Sequence, residues 1–374
     1  MKVVLALTQP PLLEGGAPGK CAVALLRGLR AHGVDVRALA AVQPFAIPGE
    51  VPDDLPVELV RVVTEPAGWR ARLDRLRRPR GTLGRGEFAA RFRELATDAD
   101  LLHLEETEAG WADEGLALPS LVHIQYLVRR DRPPGRPWTR TGRDTIELGL
   151  AERAAIRRHC YLVASSPLVA EDLRRRAPNA EVVLAPLSLD PVDYRPAPLD
   201  GPPVAGIIGT AAWPPTAAAM RRLVTQIWPR VHARLPESRL LIAGRGTEAL
   251  GLRKENGVEV LGEVASAREF FQRLSLLLYP LERGSGMKVK VLEAIASGLP
   301  VVTTSAGTEG IDAGDGIVVE AEDEALALSA LQILRDPTER HQRGSIARSA
   351  FELRYSPKPA TAPLIDIYQR MAGL

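Results

Sequence analysis

Tyr279 to Ile311 reads YPLERGSGMKVKVLEAIASGLPVVTTSAGTEGI, a stretch dense in groups that could do chemistry. Gly284, Ser285 and Gly286 interrupt the apolar run LSLLLYPL and let the backbone turn tightly. Ser285 is then placed to cap a helix whose apolar face carries Val291, Leu292, Ile295 and Ala296. Lys288 falls in the first turn, Lys290 follows, and Glu293 comes one turn later. A helix whose first amides face a glycine loop is an anion site before any side chain is counted. Two cations beside a phosphate-sized hole, with a carboxylate in reach of a sugar diol, describe a nucleotide-sugar site. Only six of the 48 basic residues are lysines, and two of those six stand here. The plainer reading makes Lys288 and Lys290 a solvated face and Glu293 the intrahelical partner of Lys290.

Such a loop needs a strand before it and a strand after it. LSLLLYP supplies the first; Gly298 and Pro300 stop the helix and VVTT opens the second. The same alternation runs through the chain. VVLALT leads through PPLLEGGAPG into a helix from about Lys20 to His32, and DVRALAAV closes a βαβ unit, the sign of a parallel doubly wound sheet. Gly15 and Gly16 lie at the carboxyl end of that first strand, where such sheets bind ligands, although a plain βα loop would read the same way. ADLLHLEETEAGW and LPSLVHIQYLVRRDR each read as strand then loop, placing His103 and His123 near strand ends. A lone histidine in such a place is either a satisfied structural residue or an acid–base group. Asp98 and Asp100 spell D-x-D, but Asp100 directly precedes LLHL and reads as a strand start rather than a metal ligand.

A helix from about Asp144 to His159, the strand CYLVASSP, another helix and EVVLAPLSLDP complete a first domain over 1–190. PVDYRPAPLDGPPV then holds five prolines in fourteen residues and reads as a linker. VAGIIGT opens a second domain, 191–356; Gly209 and Thr210 end that strand, and the helix after Trp213 follows. RLLIAGRGTEAL carries G-x-G behind a strand, with Arg245 between the glycines, but lacks the third glycine of a dinucleotide fingerprint.

Composition narrows the classes. The chain has 374 residues, 45% of them apolar, and a formal charge of +2 from 48 basic and 46 acidic side chains. That suits a two-domain globular protein and gives no reason to expect nucleic acid as a partner. Cys21 and Cys160 are the only cysteines, which suits a reduced cytoplasmic protein without a disulfide framework or a cysteine-rich zinc site. No apolar run reaches the length needed to span a bilayer, and MKVVLALTQPP is too short and proline-bound for a signal peptide. The arginine-rich segments Arg70–Arg93 and RRDRPPGRPWTRTGR leave open a peripheral membrane contact or an anionic acceptor, against a solvated face. A monomer and a homodimer are both consistent with the sequence.

The stretch 279–311 resembles the C-terminal signature of GT-B glycosyltransferases, family 4 of the retaining type. EAIASGLPVV follows the family pattern almost letter for letter, and GSGMKVKVLEA fits the subgroup form G-x-G-x-[KR]-x-K-x-x-E-A. The second family glutamate falls on Glu293; the first falls on Ser285, with Glu282 the carboxylate three residues upstream. Trp213 and Pro215 match the family's W-x-P, and Thr216 stands in place of its asparagine. The resemblance implies two Rossmann-like α/β domains facing across a cleft, with a C-terminal helix from about 357 to 374 crossing back to the first. It implies an acceptor-binding first domain and a donor-binding second, with donor contacts from Gly209, Thr210, Trp213, Arg245, Ser285, Gly286, Met287, Lys288, Lys290 and Glu293. His123, Lys288 and Glu282 would serve the reacting centre, and Gly15 and Gly16 would face donor and acceptor. No metal and no cofactor is implied; the nucleotide sugar, UDP- or GDP-linked, is a co-substrate and an acceptor hydroxyl is the other partner. A nucleotide-sugar 2-epimerase of the same architecture and a non-catalytic nucleotide-sugar binder are the rival readings; a nicotinamide dehydrogenase lacks its third glycine.

Overall fold

The computed structural model describes residues 1–44, 49–62, 77–132 and 135–373. The chain forms two compact units: Met1–Ser188 together with Pro357–Leu374, and Leu189–Ser356.

The first unit is built on a parallel sheet of seven strands: β1 (Lys2–Leu7), β2 (Asp35–Val42), β3 (Val57–Arg61), β4 (Leu101–Glu105), β5 (Ser120–Ile124), β6 (Tyr161–Ala164) and β7 (Glu181–Leu184). Their order is β3-β2-β1-β4-β5-β6-β7. The central strands are apolar at nearly every position because both faces are covered. Val4, Ala6, Leu102, Leu104, Val122 and Ile124 point to one side, where Phe88 and Phe92 of helix α2 (Gly86–Leu95) cover them. Val3, Leu5, Leu7, Leu101 and Leu121 point to the other, under Leu26 and Leu29 of helix α1 (Ala17–Ala31). α1 begins three residues before the predicted Lys20, because Pro18 sits in its first turn, where the missing N–H costs nothing. β3 is an edge strand that the sequence reading did not contain: VELVR is short and pairs beyond β2. Helix α3 (Arg140–Arg158) and helix α4 (Pro167–Arg176) follow β5 and β6, each capped by a hydroxyl, Thr139 and Ser166.

The second unit carries β8 (Val204–Ile208), β9 (Arg239–Ala243), β10 (Val258–Gly262), β11 (Leu276–Tyr279), β12 (Val301–Thr303) and β13 (Ile317–Val319), all parallel, in the order β10-β9-β8-β11-β12-β13. Helix α5 (Pro214–Arg222) follows β8 and helix α6 (Val289–Ala296) follows β11. Helices α7 (Asp323–Arg335) and α8 (Pro337–Arg354) close this unit. Arg348 of α8 donates to the carbonyls of Tyr194 at 2.8 Å and Pro191 at 3.2 Å, fastening the proline-rich segment to its own unit.

The last helix, α9 (Pro357–Ala372), returns to the first unit and packs on α1. Its buried residues Leu364, Ile367, Tyr368 and Met371 recur at helical spacing and join the cluster on that face of the sheet. Each sheet therefore has one point at which the strand order reverses, between β1 and β4 in the first and between β8 and β11 in the second. Loops at the carboxyl ends of the strands flanking such a point are where open α/β sheets hold ligands.

Candidate active site

At the reversal point of the second sheet, two groups of loops meet. Gly209 donates to the Ala243 carbonyl at 3.0 Å, and Ala211 donates to the Arg245 carbonyl at 2.9 Å. Gly244, at φ 128°, presses so close that a Cβ there would lie 1.9 Å from the Gly209 oxygen, so only glycine fits. Gly209, Thr210 and Arg245 are thus held in one loop cluster. Trp213 is half-buried at the start of α5, and its backbone N–H donates to the Thr210 carbonyl at 3.2 Å. Thr216 is buried one turn on, with its hydroxyl 3.2 Å from the phenol oxygen of Tyr279 at the end of β11. That bond ties the W-x-P segment to the strand that leads into the glycine loop.

The loop from Pro280 to Lys288 then turns into α6. Ser285 does not cap this helix, contrary to the sequence expectation. α6 starts at Val289, Lys288 is its N-cap residue in an extended conformation, and no side chain caps it. The loop spends its glycines on the turn: a Cβ at Gly284 would lie 2.6 Å from Lys288 Nζ, and Ser285 is fully buried within the loop. The Lys288 ammonium donates to the Gly286 carbonyl, so the cation is folded back over the loop. Met287 is buried and Glu282 is exposed.

Glu293 is fully buried on α6, with Lys290 Nζ 3.0 Å from one carboxylate oxygen and the Tyr194 hydroxyl donating to the other at 3.3 Å. A carboxylate in that setting is stable only because a cation and a hydroxyl replace its lost hydration. The intrahelical pairing with Lys290 is therefore real, and it holds the acid at the helix rather than leaving it in solvent. Arg245 is the opposite case: its guanidinium is 60% exposed and lies 2.9 Å from the equally exposed Glu263.

The remaining named residues belong to the first unit. Gly15, at φ 135°, and Gly16 form the turn into α1, with Gly16 as its N-cap residue. His123 on β5 is buried and directly opposite Glu105 of β4, with its Nδ1 2.9 Å from a Glu105 oxygen. Glu105 also lies 2.9 Å from His103 Nε2 and accepts from the Gln125 amide at 2.6 Å. Burial pushes the Glu105 carboxyl up, but the two histidines more than offset this and hold it well below the usual carboxylate range. Burial pushes His103 down, so its ring is neutral, with Glu105 opposing the shift. His123 Nε2 is buried with no hydrogen-bond partner among the described residues, an arrangement that costs about 1–3 kcal/mol.

One residue on, Glu106 is a second surprise. It has a left-handed backbone, φ 69°, and accepts a hydrogen bond from the Thr8 hydroxyl at the end of β1. Burial, then the neighbouring Glu108, pushes its carboxyl up to about 8. Burial also raises Glu108, against the pull of Arg80 and Arg132. Sequence reasoning missed Glu105, Glu106 and Gln125 because their partners are remote: Thr8 to Glu106 spans 98 residues and Glu105 to His123 spans 18. The run EET after a strand was the available signal. Of the arginine-rich stretch, residues 70–76 lie outside the described residues. Further along, Arg78 pairs with Glu114 at 2.7 Å, Arg80 with Asp144, and Arg91 with Glu58 at 2.7 Å.

The sequence model of a family described as "Glycosyl transferases group 1" matches residues 202–336. A phosphatidyl-myo-inositol mannosyltransferase of Mycolicibacterium smegmatis is 28% identical over 295 residues, covering 74% of this chain and 72% of that protein. Among solved structures, a sucrose-phosphate synthase of Thermosynechococcus elongatus superposes with a TM-score of 0.69 at 16% identity, covering 100% of this chain and 99% of that one. Anabaena HepE in complex with UDP-glucose superposes with a TM-score of 0.62 at 17% identity, over 99% and 98% of the two chains. Among the described residues, no helix is long and apolar enough to cross a membrane.

Proposed function

We propose that the chain, which matches the group 1 glycosyltransferase model over residues 202–336, is a GT-B enzyme of family 4 that moves a hexose from a UDP- or GDP-sugar to an acceptor hydroxyl with retention at the anomeric carbon. The second unit binds the donor in this reading, and the first serves the acceptor. One observation carries it: a fully buried carboxylate, Glu293, is fixed by Lys290 and Tyr194 on the helix that follows the glycine loop. Glu293 accepts from the ribose hydroxyls, and the amides of 284–289 with Lys288 and Lys290 face the diphosphate.

The bond between the anomeric carbon and the diphosphate oxygen breaks, and the diphosphate takes the electron pair. The acceptor oxygen bonds to the anomeric carbon and loses its proton. Positive charge grows on the sugar and negative charge on the leaving group, so donors preorganised at the diphosphate lower the barrier directly. Loop amides, the α6 terminus and the two lysines supply such donors, with Gly209, Thr210, Trp213, Arg245, Ser285, Gly286 and Met287 shaping the site around them. Glu282 stands nearest in sequence to the family's sugar-binding glutamate, and His123 is assigned to the acceptor side.

A thermal-shift screen with UDP, GDP, ADP, dTDP and their sugar conjugates tests the donor reading. A ligand at 100 times its Kd stabilises by about 2.7 kcal/mol, so one diphosphate and one conjugate should stand out. No shift with any of them overturns it. Turnover of the donor to an epimer without acceptor would identify the 2-epimerase instead, binding without turnover would identify a non-catalytic binder, and an inverted product would overturn retention.

A further inference from the structure

The first unit holds a chain of buried polar groups that the donor site does not explain. Tyr368 of α9 is fully buried, and its hydroxyl lies 2.5 Å from His103 Nδ1. His103 Nε2 is 2.9 Å from Glu105 Oε2, close but off the line of a straight hydrogen bond. Glu105 Oε1 lies 2.9 Å from His123 Nδ1 and accepts from Gln125 Nε2 at 2.6 Å. Burial favours a neutral His103, whose single proton is placed by its neighbours. The proton is favoured on Nε2, beside the Glu105 carboxylate, and with the proton there Nδ1 accepts from the Tyr368 phenol. An ionised Glu105 can only accept, so His123 must carry its proton on Nδ1. In the neutral ring this leaves a lone pair on the buried His123 Nε2, which has no hydrogen-bond partner among the described residues.

We propose that Glu105 is a positioning residue: anchored through His103 by Tyr368, it holds His123 in the Nδ1–H form and Gln125 in one amide orientation, so that His123 Nε2 accepts the proton of the acceptor hydroxyl. The proposal rests on the acceptor-side reading of His123 given above. Glu105 and Gln125 both stand at the carboxyl ends of neighbouring strands, and β4 flanks the reversal of strand order, where ligands bind. The backbone of Gln125 is pinned as well, since Ser165 donates to its carbonyl at 2.7 Å. The network thus fixes both ends of one residue and the tautomer of another.

The same three side chains, His103, Glu105 and His123, place donor atoms within 4.8 Å of one another and so could be read as a metal site. Ligands about 2.0–2.1 Å from a tetrahedral zinc lie about 3.3 Å apart. The contact from Glu105 to His123 Nδ1 is 2.9 Å, the length of a hydrogen bond through a shared proton. Geometry favours the proton.

Two arms decide the matter on the full-length protein. Long-range 1H–15N spectra of histidine-labelled protein should show His123 as the Nδ1–H tautomer, and Glu105→Gln should change that signal. Hydrolysis of UDP-glucose and GDP-mannose, followed as diphosphate release with water as acceptor, should lose about 10- to 100-fold in kcat in Glu105→Gln with donor KM unchanged. Tyr368→Phe, which deletes one oxygen, should lose less, and Glu105→Asp should recover part of the loss. An unaltered His123 signal together with wild-type kcat in Glu105→Gln overturns the proposal, as does one equivalent of divalent metal in the purified protein. If the wild type hydrolyses neither donor, the functional reading fails on its own, and the tautomer arm still decides the role of Glu105.

Discussion

The carboxyl ends of the two sheets are built from different materials. In the second unit the ligand end is backbone: glycine turns, an α6 terminus, two lysines and one buried acid, all within Gly284–Glu293 and the loops after β8 and β9. In the first unit it is a set of titratable side chains, His103, Glu105 and His123 buried and Glu106 and Glu108 half-buried, with contacts that reach across the chain. The first kind of site suits a ligand whose chemistry is fixed, since a diphosphate always presents the same oxygens to amides and cations. The second kind suits a partner that must be recognised group by group and relieved of a proton. The difference accounts for the donor class being readable here and the acceptor not.

The sharpest way to test the donor half is Glu293→Gln. The amide keeps the shape but removes the charge that faces Lys290 and, if the acid binds a ribose diol, one of the acceptors offered to it. UDP or GDP affinity, by calorimetry, should fall about 100-fold, equivalent to about 2.7 kcal/mol. Glu293→Ala would add a cavity and leave Lys290 unpaired, so its loss would mix binding with folding. Wild-type affinity in Glu293→Gln would remove this residue from the ribose role and leave the donor site without its carboxylate.

Lys288→Met probes the cation at the loop. Its stem can still fill the space above Gly284, while the charge over the loop is gone. If that charge stabilises the leaving diphosphate, kcat should fall by about 10- to 100-fold while donor KM changes much less. An equal effect on kcat and KM, or none, would make Lys288 part of a solvated face, as the plainer reading had it.

In the first unit the contrast is a matter of pH. Glu106 is pushed up to about 8 from an ordinary value of 4.5, so the folded state holds its proton more tightly than the unfolded chain does. That contribution is complete below about 4.5 and is lost as pH rises toward 8. Glu106→Gln stays neutral, so its melting temperature should fall less between pH 5.5 and 8.5 than that of the wild type, by more than about 2 °C. Parallel curves for the two proteins would show that Glu106 is not held protonated by the fold.

Much of this architecture was legible because it repeats locally. Apolar runs alternating with helical stretches gave the parallel doubly wound class, and Gly298 with Pro300 marked the end of α6. The short strand β3 escaped because five residues at a sheet edge carry little pattern. Ser285 misled because a serine before a helix looks like a cap, whereas the turn consumed it and the helix began four residues later. His123 was legible as a residue but not as a member of a network. Tyr368 is 265 positions from His103, and nothing near either one names the other. Lone polar residues inside apolar runs, such as His103 in LLHLE and Tyr368 in IDIYQRM, are the signal that such a partner exists.

Arg245 gives the smallest expected effect and the finest cut between the two kinds of site. Its guanidinium and Glu263 are both 60% exposed, so the pair is screened by solvent, and Arg245→Ala should change stability by less than about 0.5 kcal/mol. If the loop cluster of Gly209, Thr210 and Arg245 faces the diphosphate, the same variant should still weaken UDP or GDP binding about threefold to tenfold, and more at low salt than at high salt. Loss of affinity without loss of stability would put Arg245 with the donor, because a merely structural surface pair would move neither quantity. Unchanged affinity at low salt would confine the donor's cations to Lys288 and Lys290 and leave the backbone of this loop, rather than its side chain, as the part that shapes the site.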